Sequence, residues 1–416
     1  MKPHHIGRKR LGFQRLVSRH PTHQVERVGP EEPSDFPAEA IWLHVRKLYR
    51  TGLHPAIALN IRHRGKLVLN RTIGHLSNPV GGVATDVVTP DSLFSLFSAS
   101  KIVTATLVMA LVEDGAISLN DRVVDYLPEF GRHGKDGIRI RHLLQHTAGI
   151  PNLPPIADIE ATFQAGTVDL GPIFDLKPLS KPGERTAYHS IAGWQVLQAI
   201  VELVMKRPLP EVLRARLLDP LGIQNLTYGT DPERAARVAR HATTGLKTPR
   251  FMSSIFTTNI GLDFDKAVEL TNRDGFHTAV LPSANIVATP DEVGRFMEML
   301  RMEGELDGVR VLKPETVRRM VTDVTPVRID GTYRLPMRYG LGVMMGGDYF
   351  SLFGLGTKGV FGHLGLSNLV AYADPSRELS VAYLTTGKPM FAPGMVQWYR
   401  VMQRIANLVP RTASRS

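Results

Sequence analysis

The sequence predicts an α+β protein, and three observations carry that expectation. Strand-like apolar runs gather near the two ends of the chain, at residues 56–70 and 339–384. Between them, from Leu119 onward, the pattern is helical and rich in loops. The end runs are joined by short turns, which makes neighbouring strands antiparallel.

Taken in order, Ala38 to Tyr49 reads as an amphipathic helix with Ile41, Trp42, Val45 and Leu48 on one face. Ala56–Ile61 and Lys66–Asn70 form a hairpin across Arg62-His63-Arg64-Gly65, with glycine at the bend. A Gly/Asn/Pro-rich connection, Ser77 to Asp91, leads to the apolar run Ile102–Val112, which is greasy on nearly every side and stops at Gly115. Asn120–Pro128 reads as a short helix stopped by proline. His142 and His146 stand four apart, but no H-E-x-x-H glutamate accompanies them, so they are read as hydrogen-bonding within a helix-ending turn and no metal is expected. Ser190 reads as the N-cap of a helix over Ile191–Met205. The apolar island Phe251–Phe256 is read as a packed loop, with a greasy substrate wall as the alternative. Thr289-Pro290-Asp291 opens a helix to Met302. Tyr339–Met345, Leu369–Ala373 and Leu379–Leu384 read as adjacent strands, the last two linked by Pro375-Ser376-Arg377, and Met395–Leu408 as a closing helix. Gly354-Leu355-Gly356-Thr357-Lys358-Gly359 matches G-x-G-x-x-G, yet Val360–Gly365 cannot continue as a helix, so a dinucleotide site is rejected and no cofactor is expected.

Charge and composition exclude several function classes. Residues 1–30 hold six of the eleven net positive charges, and this stretch lacks the apolar core of a secretory signal. It reads as a solvated, disordered tail (residues 1–35, with Pro30–Pro33 as linker). The alternative is a membrane-surface helix built on Ile6, Leu11, Phe13, Leu16 and Val17. The expected location is therefore cytoplasmic, with peripheral membrane contact through the tail as the variant. No basic face interleaved with aromatics appears, so no nucleic-acid partner is expected. With no cysteine, disulfides and thiolate metal sites are excluded.

The chemistry-bearing stretch is Ser98-Ala99-Ser100-Lys101. Residues three apart share a helix face, so the lysine amine can lean over the serine hydroxyl. A serine is a poor nucleophile until a neighbouring base takes its proton. Farther along, Tyr188 lies just before a helix, on a loop able to reach a cleft, and becomes a second candidate base.

Three pieces line up in chain order: Ser98-Ala99-Ser100-Lys101, Tyr188-His189-Ser190 and His363-Leu364-Gly365. This order resembles the serine hydrolases of the β-lactamase fold: penicillin-binding proteins, class C β-lactamases and their esterase relatives. Leu143-Leu144-Gln145-His146-Thr147-Ala148-Gly149, Pro182-Gly183 and Tyr339-Gly340-Leu341-Gly342 strengthen the likeness, which spans about residues 40–410. The resemblance implies an antiparallel sheet with helices on both faces, built from residues 36–128 and 280–416, and an inserted helical domain at 129–279. It implies Ser98 as nucleophile, Lys101 and Tyr188 as proton-handling partners, and the backbone N–H groups of Ser98 and Leu366 as an oxyanion hole. Ser190, His363 and Gly365 would line the substrate.

Two departures bear on substrate. The family's penicillin-recognising members usually have Lys-Thr-Gly where this chain has His363-Leu364-Gly365, and Tyr-x-Asn where it has Tyr188-His189-Ser190. A fixed cation suits a substrate carboxylate, and a mostly neutral histidine does not. The expectation is a carboxylesterase acting on short- to medium-chain esters through an acyl-enzyme, its partner a small-molecule ester. A β-lactamase or D-amino-peptide hydrolase of the same fold, and a non-catalytic binding protein, are the alternatives. His363 is expected to make activity sensitive between about pH 5.5 and 7.5.

Overall fold

The computed structural model describes residues 22–77, 86–153, 162, 164–349, 351–390 and 395–412, without the side chain of Phe251. The apolar tail residues Ile6 to Val17, and most of the 77–91 connection, lie outside them. Among the described residues no helix is long and apolar enough to cross a membrane.

Seven antiparallel strands form the main sheet. They are β1 (Glu26–Val28), β2 (Ala56–His63), β3 (Lys66–Gly74), β4 (Met344–Met345), β5 (Phe361–Leu364), β6 (Val370–Asp374) and β7 (Leu379–Thr385). The spatial order is β1-β3-β2-β7-β6-β5-β4, so the two ends of the chain meet where β2 pairs with β7. The β2–β3 hairpin turns on Arg64 and Gly65, both at positive φ, as a two-residue turn requires. Side chains alternate between two cores. Ala56, Ala58, Ala382 and Leu384 face one, and Ile57, Leu59, Val381 and Tyr383 face the other. Both faces of the sheet are thus buried.

The larger core is filled by α2 (Ser100–Glu113) and α5 (Pro290–Arg301), and the other by α1 (Ala38–Tyr49) and α6 (Met395–Leu408). Along the chain, α3 (Ala192–Met205) and α4 (Arg250–Ile260) fall between α2 and α5. The first turn of α5 carries a reciprocal cap between Thr289 and Glu292, and Asp114 and Gly115 end α2.

Several expectations need correction. The expected disordered tail does not reach residue 35: β1 pairs with β3, and the Glu31 carboxylate binds Arg71 and the Asn70 N–H. Pro30–Pro33 is therefore strapped to the sheet edge. Ser190 does not cap α3, whose N-cap is Ile191 with no side-chain bond. Asn120–Pro128 yields only a 3-10 turn, Val123–Asp125, and Pro128 begins another turn instead of stopping one. Tyr339–Met345 shrinks to β4 because Gly340 and Gly342 fold the chain back, Tyr339 bridging Met344. Phe251–Phe256 belongs to helix α4.

Candidate active site

Every residue from Leu93 to Leu111 is buried except Ser98, which is half-exposed. Ser98 sits in a 3-10 turn, Phe97–Ala99, that runs directly into α2. Phe97 precedes it at φ 47°, a conformation bulky residues rarely adopt. The strain is held by packing: Phe97 is buried against Phe276 and His241. Such local strain gathers at functional sites.

Lys101 Nζ lies 3.0 Å from Ser98 Oγ and 3.0 Å from the Ser283 carbonyl. The amine stands over the rings of Tyr188 and Trp194, at 5.1 and 5.6 Å. Burial alone pushes the Lys101 ammonium well below its ordinary range. The Tyr188 hydroxyl is buried beside Ser98 and Tyr333 without completing a hydrogen bond to either. Burial first, then the Tyr333 hydroxyl, push it well above the usual phenol range. The two candidate bases thus move in opposite directions: the lysine favours its neutral amine and the tyrosine its protonated phenol.

The Tyr188 loop is held from two sides. The Ala187 N–H donates to the His146 carbonyl at 3.0 Å, and the His189 N–H donates to His146 Nδ1 at 2.9 Å. From the other side, the Gly331 N–H donates to the Thr186 carbonyl at 2.9 Å and the Thr332 hydroxyl to the Tyr188 carbonyl at 3.0 Å. Asp330 fixes that second clamp by accepting the N–H groups of Thr332 and Tyr333 at 2.8 Å and the Tyr339 hydroxyl at 3.0 Å. His146 was expected to bond within its own turn, and only His142 does so, accepting the Arg139 N–H. Asp330, Tyr333 and Ser283 had no motif to announce them beyond the turn signal Asp330-Gly331.

Gly365 and Gly342 have plain steric reasons. A Cβ at 365 would stand 2.7 Å from the Leu96 carbonyl, so glycine lets the end of β5 lie against the turn before Ser98. A Cβ at 342 would meet the Cβ of Ala105 on α2 at 2.1 Å. Leu366, next along, lines the same cavity as Ser98 and Ser190. That cavity, about 130 Å³, is walled by Phe97, Phe256, Ile260, Leu270 and Phe276. The greasy-wall alternative for 251–256 therefore describes α4 better than the packed loop.

His363 lies near this group, its ring 5.7 Å from that of Tyr188. Its Nδ1 is 2.6 Å from the Leu364 carbonyl, and its Nε2 is buried without a partner. Burial, then the nearby Lys101, push it down to about 3. The expected titration of His363 between about pH 5.5 and 7.5 is thus corrected: the ring is neutral throughout that range. Among the described residues no cluster could hold a metal ion.

Comparison with known proteins places these features in context. The family model described as Beta-lactamase matches residues 45–404. The Esterase/beta-lactamase LipL of Mycobacterium tuberculosis is 24% identical over 341 residues, 78% of this chain and 76% of that one. Among solved structures, a penicillin-binding protein homologue from Caulobacter crescentus superposes with a TM-score of 0.76 at 23% identity, covering 92% of this chain and 100% of that one. A family VIII carboxylesterase gives 0.75 at 20% identity, with 91% and 100% covered.

Proposed function

The chain belongs to the beta-lactamase family, and we propose that it is a carboxylic-ester hydrolase working through an acyl-enzyme on Ser98. The observation that carries this reading is the Lys101 amine, 3.0 Å from Ser98 Oγ beside an apolar cavity, with burial favouring its neutral form. Ser98 Oγ bonds to the ester carbonyl carbon while its proton passes to Lys101 Nζ. The backbone N–H groups of Ser98 and Leu366 receive the developing oxyanion, a contribution of roughly 3 kcal/mol per donor. When the tetrahedral species collapses, the C–O bond to the alcohol breaks. Tyr188 gives the leaving oxygen its proton and regains one from Lys101. Water then repeats the sequence on the acyl-enzyme and releases the acid.

Esters are favoured over β-lactams because position 363 offers no cation to a substrate carboxylate, and Ser190 offers no amide to a peptide bond. The apolar walls suit a short to medium acyl chain. An esterase-named relative supports the same reading. The test is Ser98→Ala against a p-nitrophenyl ester series and a chromogenic cephalosporin. Wild type is expected to turn over the esters orders of magnitude faster than the cephalosporin, and the variant neither. Ester turnover retained by a folded, pure variant rules the nucleophile out.

A further inference from the structure

Helix α4 has two sides. Phe256 and Ile260 face the Ser98 cavity, whereas Ser254, Ile255 and Thr258 line a separate groove of about 560 Å³. Leu179 lines that groove too, as does the hairpin in which Arg328–Ile329 pairs with Pro336–Met337. Turns usually show their polar side chains to water. This hairpin does the reverse. Asp330 and Thr332 are buried in the clamp on Tyr188, and every exposed position from 326 to 336 is apolar, glycine, tyrosine or arginine.

The apolar part of this face is held in place. Val327, Ile329 and Leu179 are 66%, 64% and 63% exposed, and Leu335 and Ile255 add to them. The Leu179 N–H donates to the Gly149 carbonyl at 2.8 Å, and the Asp330 N–H to the Leu335 carbonyl at 2.9 Å. A fixed backbone thus carries aliphatic side chains into water with no return to the fold, and clustered exposure of that kind marks a contact surface. Exposed cations share the same segments. Lys177 and Lys181 flank Leu179 in the sequence, Arg185, Arg328 and Arg334 line the groove, and Arg250 lines the hollow adjoining it. Among the described residues Arg185, Arg250 and Arg334 form no ion pair, and Arg328 uses Nη1 on the Glu184 carbonyl. Glu184 is the one acid in the lining of the groove.

The two kinds of side chain together select the partner. A small soluble anion would engage the guanidinium groups and leave the aliphatic side chains in water. An acidic protein surface would be met by neutral hydrogen-bonding side chains as well, and the hairpin exposes none beyond the Tyr333 hydroxyl. Anionic phospholipids place phosphates directly over hydrocarbon, and surface elements that are both basic and apolar bind that combination. We infer that this face docks on an anionic lipid bilayer. Hairpin 326–336 and Leu179 enter the boundary between headgroups and acyl chains, and the arginines pair with lipid phosphates. The contact is separate from the basic N-terminal stretch, and it stands independently of the ester chemistry at Ser98.

The experiment sediments the full chain with vesicles of phosphatidylcholine alone and of phosphatidylcholine mixed with phosphatidylglycerol. Wild type is expected to bind the mixed vesicles about 10-fold or more tightly than the neutral ones, and rising salt should shrink that ratio. Arg185→Gln, Arg328→Gln and Arg334→Gln together should lower affinity for the mixed vesicles by about 10-fold or more. Leu179→Ser with Ile329→Ser should lower it by about as much, at low and high salt alike. Melting temperatures check that the variants fold, and the single substitutions serve where a combination does not. Because the chain has no cysteine, a label on Ile329→Cys reports one site. An environment-sensitive fluorophore there should shift to the blue on mixed vesicles, and the same label on Val28→Cys, on β1, should not. No binding to mixed vesicles at low salt overturns the inference and leaves the arginines to an acidic protein. Binding that survives both sets of substitutions, or a blue shift at Val28 instead of Ile329, also overturns it by moving the contact to the N-terminal stretch. Saturable calorimetric binding of soluble glycerol phosphate without vesicle binding overturns it too, by making the groove a small-anion site.

Discussion

Lys101 and Lys388 both adjoin the turn that carries Ser98, and both are fully buried. Burial depresses each amine, Lys388 to about 7 and Lys101 well below its ordinary range. Their neighbours differ. Lys101 reaches the Ser98 hydroxyl, whereas Lys388 donates to the Thr385 carbonyl at 2.7 Å and stands over the Phe97 ring at 4.7 Å. His54 and His241 near it are themselves held neutral, and each feels its charge. Lys135 is a third case, its amine donating to three carbonyls at 2.7 Å each. A depressed amine is therefore not enough to make a base; a transferable proton must lie at hydrogen-bond distance. Lys388 backs the strained Phe97, and Lys135 ties three loop carbonyls together.

The contrast is broken most severely at Lys101. Lys101→Met is expected to cut ester turnover by about 1000-fold or more, as loss of a general base and its proton relay does. Lys388→Met should stay within about threefold of wild type. Equal losses in the two variants would erase the distinction. Tyr188→Phe is expected to lower kcat by roughly 100-fold while KM changes little, since in the proposed mechanism the phenol acts in the transition state. A rate near wild type would leave Lys101 to handle both protons.

Stability should distinguish the buried groups by pH. His54, His189 and His363 have folded values of about 3 against an unfolded 6.5. The unfolded chain binds more protons between these values, so stability is intact above 6.5 and falls as pH drops toward 3. Each of the three rings adds to the steepness of that fall. Urea midpoints measured from pH 8 to 4 check the slope, and a flat profile would mean these rings are solvated. Lys388 titrates at about 7 folded against 10.5 unfolded. Lys388→Met should therefore raise the melting temperature more at pH 6 than at pH 10. The smallest effect concerns His363: His363→Asn is expected to move no limb of the pH–rate profile between about pH 5.5 and 7.5. A displaced limb there would restore its titration.

What was legible in the sequence was what local chemistry dictates. Helices α1 and α6 follow their apolar periodicity, α5 its Thr289-Pro290-Asp291 opening, and the β2–β3 hairpin its Arg62-His63-Arg64-Gly65 turn. The spacing of Ser98 and Lys101 gave their contact, because one helical turn settles it. The clamp around Tyr188 was not legible, since His146 and the Asp330 turn reach it across 43 and 144 positions. Nor was the strapping of residues 31 and 32 to the sheet edge, where a charged run found the buried Arg71. Composition read that stretch as solvated because it cannot see a partner 40 residues away. Helix α4 shows the same limit: its apolar island was visible, but its two faces acquire meaning only from the recesses on either side.

In the proposed mechanism the Lys101 amine draws the proton from Ser98 and Lys388 does not. It is tested most directly by acid-quenching wild type, Lys101→Met and Lys388→Met after brief exposure to a p-nitrophenyl ester, then mapping the acyl group by peptide mass spectrometry. The adduct is expected on the Ser98 peptide in wild type and Lys388→Met, and none in Lys101→Met. An adduct on another residue, or labelling of Lys101→Met as fast as wild type, would contradict it.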